Sequence, residues 1–332
     1  MINSSQPLVS VVTPVYNGAK YLRECIGSVL GQTYQNWEYV ILNNCSTDES
    51  LAIIREYARN DPRIRVLENS QHLALLENSN AALRRIAPTA KYCKVVHADD
   101  WLMPECLERM VALAEENPNV SIISSYRLEE NRVTLDGLQY PSHVVPGHQV
   151  CRDTLLGQLY VFGAPSNLLL RCDVIRRRPD FYGSHGIHAD TDACYEILRD
   201  SDFGFVHQVL TFTRRHNEAA TAFARRVNTY LPGGVGSLVR YGHLYLGDDE
   251  YQRRFCELMA GYYRFLADAL LRQKGKDFWQ YHSEQLSSFG YPIQRLRLTG
   301  VWIRLALERL LHPVHLVRSL LSRARKAIYS DA

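Results

Sequence analysis

The sequence predicts an α/β fold: a doubly wound, mostly parallel sheet flanked by helices, followed by a helical C-terminal subdomain. Three observations carry this. Short β-branched apolar runs at 8–14, 37–42, 64–67 and 92–96 alternate with stretches of helical periodicity. That strict order of strand and helix is the pattern of parallel strands joined by right-handed crossovers. After about residue 225 strand character stops and tyrosine-rich helical periodicity takes over.

Length and composition bound the rest. A chain of 332 residues suits one large and one smaller domain, here divided as 1–225 and 226–332. A net charge of +3 gives no argument for a nucleic-acid partner. The eight cysteines are scattered, with no CxxC and no close Cys/His pair, which speaks against structural zinc and for a reducing, cytoplasmic setting. Strand-like sequence begins by Leu8 without a basic leader, so no signal peptide is expected, and no apolar run reaches membrane-spanning length.

Each element of the first half has a reason. The run at 8–14 reads as a buried strand ending in the turn Tyr16-Asn17-Gly18, and 19–32 repeats apolar residues at Leu22, Ile26, Val29 and Leu30. The strand at 37–42 closes in Asn43-Asn44-Cys45-Ser46-Thr47-Asp48, a polar turn and helix start. A helix at 51–59 stops at Asp61-Pro62, a strand follows at 64–67, and 73–86 is helical. The strand at 92–96 ends in His97-Ala98-Asp99-Asp100. Adjacent carboxylates repel unless a cation lies between them, and the carboxyl edge of an open sheet is where ligands bind. The competing reading is a turn in which Asp100 or a neighbour caps the helix opened by Pro104. No GxGxxG or GxxxxGK[ST] follows a strand, which argues against a dinucleotide site and a P-loop.

The second half is less regular. A helix at 104–117 and a strand at 120–126 precede a polar stretch, 127–150, read as a hairpin or mobile loop. A helix at 153–159, a tight turn at 162–167 and a strand at 168–170 follow, then Arg176-Arg177-Arg178, read as a solvated face. The segment from His185 to Asp192 opens an amphipathic helix, where Asp190 or Asp192 either caps or does chemistry. The last strand, 205–213, leads into Arg214-Arg215-His216-Asn217. Leu231-Pro232-Gly233-Gly234 reads as a linker before helices at 235–246, 251–273, 278–286, 294–311 and 314–328. The final pair is basic and amphipathic, through Arg295, Arg304, Arg318 and Arg323 beside Trp302, Leu310 and Leu320. Segment 294–328 therefore either lies on an anionic membrane surface or packs on protein.

The combination of Pro14-Val15-Tyr16-Asn17, the Ser28/Gln32-Thr33-Tyr34 spacing, Trp37-Glu38, Ser46-Thr47-Asp48 and His97-Ala98-Asp99-Asp100-Trp101-Leu102 resembles the nucleotide-sugar-binding half of family 2 inverting glycosyltransferases. The resemblance is dense over 8–125, looser to about 221, and implies a GT-A fold. It implies that Thr13, Pro14 and Tyr16 hold the base of a nucleoside diphosphate sugar of the UDP type. It puts Asn44 where an Asp accepts the uracil N–H; the residue-level alternative is a turn favouring left-handed backbone. Asp99 and Asp100 would share the ribose and a divalent cation, Mn²⁺ or Mg²⁺, with His216 as third ligand and Arg215 or Arg214 at the diphosphate. His97 stands where the family commonly has Asp, and is read as structural. Asp190, with Asp192 as runner-up, would be the general base, since a sugar hydroxyl is too weak an acid to attack unaided. The implied partners are the donor and a glycan or lipid-linked acceptor, at the inner face of the cell membrane. Surface polysaccharide or glycoconjugate synthesis is the implied role. Two rivals remain: a nucleotidyltransferase, which lacks its glycine- and lysine-rich phosphate loop here, and a non-catalytic sugar-nucleotide scaffold.

Overall fold

The computed structural model describes residues 6–183, 186, 188–215 and 220–311. The chain divides into two compact units, Met1–Ala222 and Phe223–Ala332. The first unit opens with β1 (Val9–Val15), α1 (Ala19–Leu30), β2 (Trp37–Asn43), α2 (Ser50–Asn60), β3 (Ile64–Glu68), α3 (Leu75–Leu83) and β4 (Tyr92–Val95). It continues with β5 (Trp101–Leu102), α4 (Cys106–Glu116), β6 (Val120–Glu129), β7 (Arg132–Thr134), β8 (Val144–Pro146) and α5 (Gly147–Leu155). It closes with β9 (Leu169–Arg171), α6 (Cys172–Arg176), α7 (Ala189–Ile197), β10 (Asp202–Thr213) and α8 (Ala220–Val227), the last running across the division.

The ten strands among the described residues form one sheet, ordered β3-β2-β1-β4-β9-β6-β10-β5, with β7 on β6 and β8 on β10. Pairing is parallel from β3 through β4 and again between β6 and β10. Within the sheet β9 runs antiparallel to both β4 and β6, and β5, β7 and β8 pair antiparallel with their neighbours β10, β6 and β10. Strands β1 and β2 are buried on both faces, the reason they read as continuous apolar runs rather than alternating ones. Helix α1 buries Leu22, Cys25, Ile26 and Val29, one face at helical spacing, into the core that holds Val9, Val11 and Tyr92.

Several boundaries differ from expectation. The stretch 127–150 takes the hairpin form of its two expected readings, with β6 running past 126 to Glu129 and β7 folding back on it, and β8 then pairs with β10. The helix expected at 153–159 begins at Gly147. The arginine run is not merely solvated. Arg176 donates to the Ala87 and Ala90 carbonyls, and Arg178 pairs with Glu196 at 2.8 Å.

The second unit is helical: α9 (Tyr230–Tyr245), α10 (Asp248–Leu271), α11 (Lys276–Ser288) and α12 (Arg295–Leu311) pack around Met259, Tyr262, Tyr263, Leu266 and Leu286. The linker expected at 231–234 is the first turn of α9. Proline is tolerated there because the first N–H groups of a helix have no intrahelical acceptor. The helix expected at 314–328 lies outside the described residues. No helix among the described residues is long and apolar enough to cross a membrane.

Candidate active site

The loops after β1, β2 and β4 meet at the carboxyl edge of the sheet. The first two are stitched together by hydrogen bonds: Asn17 N to Ser46 Oγ, Gly18 N to Ser50 Oγ, Ala19 N to Asp48 Oδ2, and Thr47 N to Asn17 Oδ1 at 2.8 Å. These bonds also supply acceptors for the first N–H groups of α1. Gly18 approaches the third loop so closely that an added Cβ would stand 3.0 Å from the Ala98 Cβ.

Tyr16 projects from the first loop, 51% exposed, with the His72 ring edge-on at 4.5 Å between centroids. Pro14 is half-buried. Thr13 is fully buried, and its hydroxyl donates to the Val96 carbonyl at 2.7 Å and meets Tyr39 Oη at 2.8 Å, tying β1 to β4 and β2. Asn44, 2% exposed, is committed as well. Its Oδ1 accepts from Leu73 N and Asn69 Nδ2, each at 2.9 Å, and its Nδ2 donates to the Leu73 carbonyl. Both lone pairs of that oxygen are used, so Asn44 as placed here braces the 69–73 loop that carries His72 and has no acceptor left for a base N–H.

The third loop holds the charge. The ring nitrogen of His97 and the carboxylate oxygens of Asp99 and Asp100 all lie within 4.8 Å of one another. His97 N donates to Ser166 Oγ at 3.0 Å, and Asp100 N closes the turn on the His97 carbonyl at 3.0 Å. Immediately beyond, β5 pins the segment to β10, and Trp101 stacks on Phe212 with centroids 3.6 Å apart. Asp100 is 3% exposed and accepts from Arg214 N. Burial and the Asp99 charge push its carboxyl up to about 6, with His97, Ser166 and Arg214 N acting the other way. Two hard carboxylates and an imidazole fit a divalent cation: atoms bound to one ion at about 2.0–2.4 Å stand at most about 4–5 Å apart.

Asp190 lies in the first turn of α7, half-buried, its Oδ1 accepting from Thr191 N. Burial pushes its carboxyl above the usual range, opposed by the Thr191 N–H and by the charges of His188 and His97. The His97 influence places Asp190 within electrostatic reach of the acidic loop. Pro165, adjacent in sequence to the Ser166 that receives His97 N, lines the same small cavity as Asp190 and Tyr182. Asp192 is 3% exposed on the same turn.

Of the other expected residues, Arg214 reaches the cluster through its backbone N alone. Arg215 donates from Nε to Glu129 at 2.5 Å and from its backbone N to Glu130. Arg214 pairs with Glu24 at 2.7 Å and lies over the Tyr21 ring. Both guanidinium groups are thus engaged by carboxylates of the protein. His216 lies outside the described residues. The member of the cluster that sequence reasoning set aside as structural is His97; its position two residues before Asp99, at a strand end, left its direction open.

A profile of the family described as "Glycosyl transferase family 2" matches residues 10–178. The chain belongs to glycosyltransferase family 2. A glycosyltransferase of Haemophilus influenzae is 28% identical over 174 residues, 51% of this chain and 53% of that relative, so the chain spans about half the length of the curated relative it matches. Among solved structures, S. aureus TarS 1-349 in complex with UDP-GlcNAc superposes with a TM-score of 0.62 at 14% identity, covering 86% of this chain and 80% of that one. The mannosyltransferase PcManGT from Pyrobaculum calidifontis, in complex with GDP-Man and Mn²⁺, gives 0.54 at 14% identity, covering 91% and 87%. At that identity the likeness is one of fold, and it establishes the GT-A architecture for this family 2 glycosyltransferase. Membership also answers the nucleotidyltransferase alternative.

Proposed function

We propose that this glycosyltransferase is inverting and metal-dependent, moving a sugar from a UDP-type donor to an acceptor hydroxyl by single displacement. The observation that carries the reading is the cluster of His97, Asp99 and Asp100 at one edge of the sheet, with Asp190 on the first turn of α7 near enough for the His97 charge to act on it. The exposed Tyr16 ring, edged by His72, is a platform on which a pyrimidine stacks, with Thr13 and Pro14 as its base. Asp99 and Asp100 hold the ion and the ribose. A bound Mn²⁺ or Mg²⁺ would neutralise charge on the departing diphosphate. Asp190, its carboxyl raised by burial, takes the acceptor's proton as the hydroxyl attacks. Arg215 reaches the diphosphate only by exchanging its Glu129 partner, and His216 is the candidate for a further ligand.

In this reading residues 1–225 bind the donor and residues 226–332 serve the acceptor, a second subunit or a membrane surface. Exposed Leu296, Ile303, Leu307 and Leu310 on α12, beside Arg304, support peripheral contact with the inner face of a cytoplasmic membrane. A glycan or lipid-linked acceptor and a role in surface polysaccharide assembly follow from the same reading. The test is UDP release from a panel of UDP-sugars with Mn²⁺ or EDTA, with the product anomer read by proton NMR. Metal-dependent release with inverted configuration is the expected result; a product that retains the donor's anomeric configuration would refute it.

A further inference from the structure

The His97 ring has no reason of its own to stand where it does. Its backbone is fixed from three sides: N to Ser166 Oγ, and the carbonyl accepting from Asp100 N and from Cys25 Sγ at 3.4 Å. The imidazole itself forms no hydrogen bond among the described residues. It is half-buried and lies with a ring nitrogen within 4.8 Å of the carboxylate oxygens of Asp99 and Asp100. A ring nitrogen set that close to two carboxylates completes a three-donor set for an ion that all three would share.

We propose that His97 is itself a metal ligand, and that its nitrogen sets which metal this site takes. The inference rests on the metal-dependent reading of the same site. A third carboxylate in place of His97 would make a hard, all-oxygen set of the kind Mg²⁺ accepts. Imidazole in that position removes one negative charge and supplies a nitrogen donor. Both changes weaken Mg²⁺ and favour first-row transition ions, which bind nitrogen more tightly along the series that begins at Mn²⁺. The site therefore selects Mn²⁺, or a later ion of that series, over Mg²⁺.

The experiment is Mn²⁺ binding to the full chain without donor, followed by continuous-wave EPR, with pulsed EPR to detect nitrogen bound to the ion. The wild-type protein is expected to bind one Mn²⁺ with a directly coordinated ¹⁴N signal, and Mg²⁺ to displace it only at large excess. His97→Asp is expected to keep Mn²⁺, lose the nitrogen signal, and shift the Mn²⁺-to-Mg²⁺ preference by about tenfold or more toward Mg²⁺. His97→Gln is expected to weaken Mn²⁺ and lose the signal. Mn²⁺ bound with no ¹⁴N coupling in the wild type overturns the proposal while leaving a metal-dependent transferase standing, and needs no variant to fold. A nitrogen signal that survives in His97→Asp assigns the ligand to another histidine and overturns it equally. No Mn²⁺ binding at all overturns both this inference and the metal-dependent reading.

Discussion

The loops at the sheet's carboxyl edge are similarly polar in sequence and unlike in use. After β1 and β2, polar groups are consumed by each other: Asn17 takes Thr47 N, Asn43 Oδ1 takes Ser46 N, and Asn44 bonds Leu73 and Asn69. After β4, Asp100 is buried, and burial together with Asp99 lifts its carboxyl to about 6 against the pull of His97, Ser166 and Arg214 N. The first two loops are a frame; the third gathers two carboxylates and an imidazole within 4.8 Å of one another. Two carboxylates brought that close repel each other, so a fold that keeps them together points to a cation between them.

The comparison can be broken at each end. The largest effect is expected at the base. Asp190→Asn should lower kcat by about 10²–10⁴-fold, with the affinity for UDP and Mn²⁺ measured calorimetrically nearly unchanged. A matching loss of UDP affinity would move Asp190 from proton transfer to donor binding. In the frame the expected effect is on stability. Asn44→Ala strands Leu73 N and Asn69 Nδ2 and should cost about 1–3 kcal/mol in denaturant unfolding, while the preference for UDP over CDP changes little. If that preference collapses with stability intact, Asn44 reads the base after all.

A smaller effect sharpens the contrast from inside the core. Lys94 on β4 is fully buried, its Nζ donating to Met110 Sδ at 3.6 Å, and burial lowers its pKa from 10.5. The Cys106 side chain and the Asp100 charge act the other way. Below 10.5 the unfolded chain holds a proton that the folded chain gives up once pH exceeds the lowered value. Stability should therefore rise with pH through that window and level off above it. Lys94→Met, similar in volume, should flatten that slope and raise Tm by about 2–4 °C, read in thermal scans across pH. A drop in Tm would mean that the ammonium is satisfied by contacts the burial argument misses.

How much of this was legible depended on the range of the forces. Strands β1, β2 and β4 were readable because burial on both faces writes itself locally as β-branched runs. The Asp99-Asp100 pair stood out because neighbouring like charges at a strand end repel, and the structure sets both beside the His97 ring. Asn44 was not, because its partners lie 25 and 29 residues away, and a turn-forming asparagine looks the same whether it braces a loop or binds a base. Pro232-Gly233-Gly234 misled in the other direction. Local breaker chemistry yields when tertiary packing needs the helix, and Gly236 in that same helix lies so close to Phe289 that a Cβ would meet the ring at 2.6 Å. The direction of His97 was undecidable locally, because Ser166, which fixes its backbone, is 69 residues away.

The central claim is that Asp99 and Asp100 join metal and donor. Titration calorimetry of UDP into the wild-type protein and into Asp100→Asn, each with Mn²⁺ and with EDTA, tests it most directly. Binding should be tight only for the wild type with Mn²⁺, and weakened by about 10²-fold or more in the other three conditions. UDP affinity that is the same with EDTA, and the same in Asp100→Asn, would contradict the account.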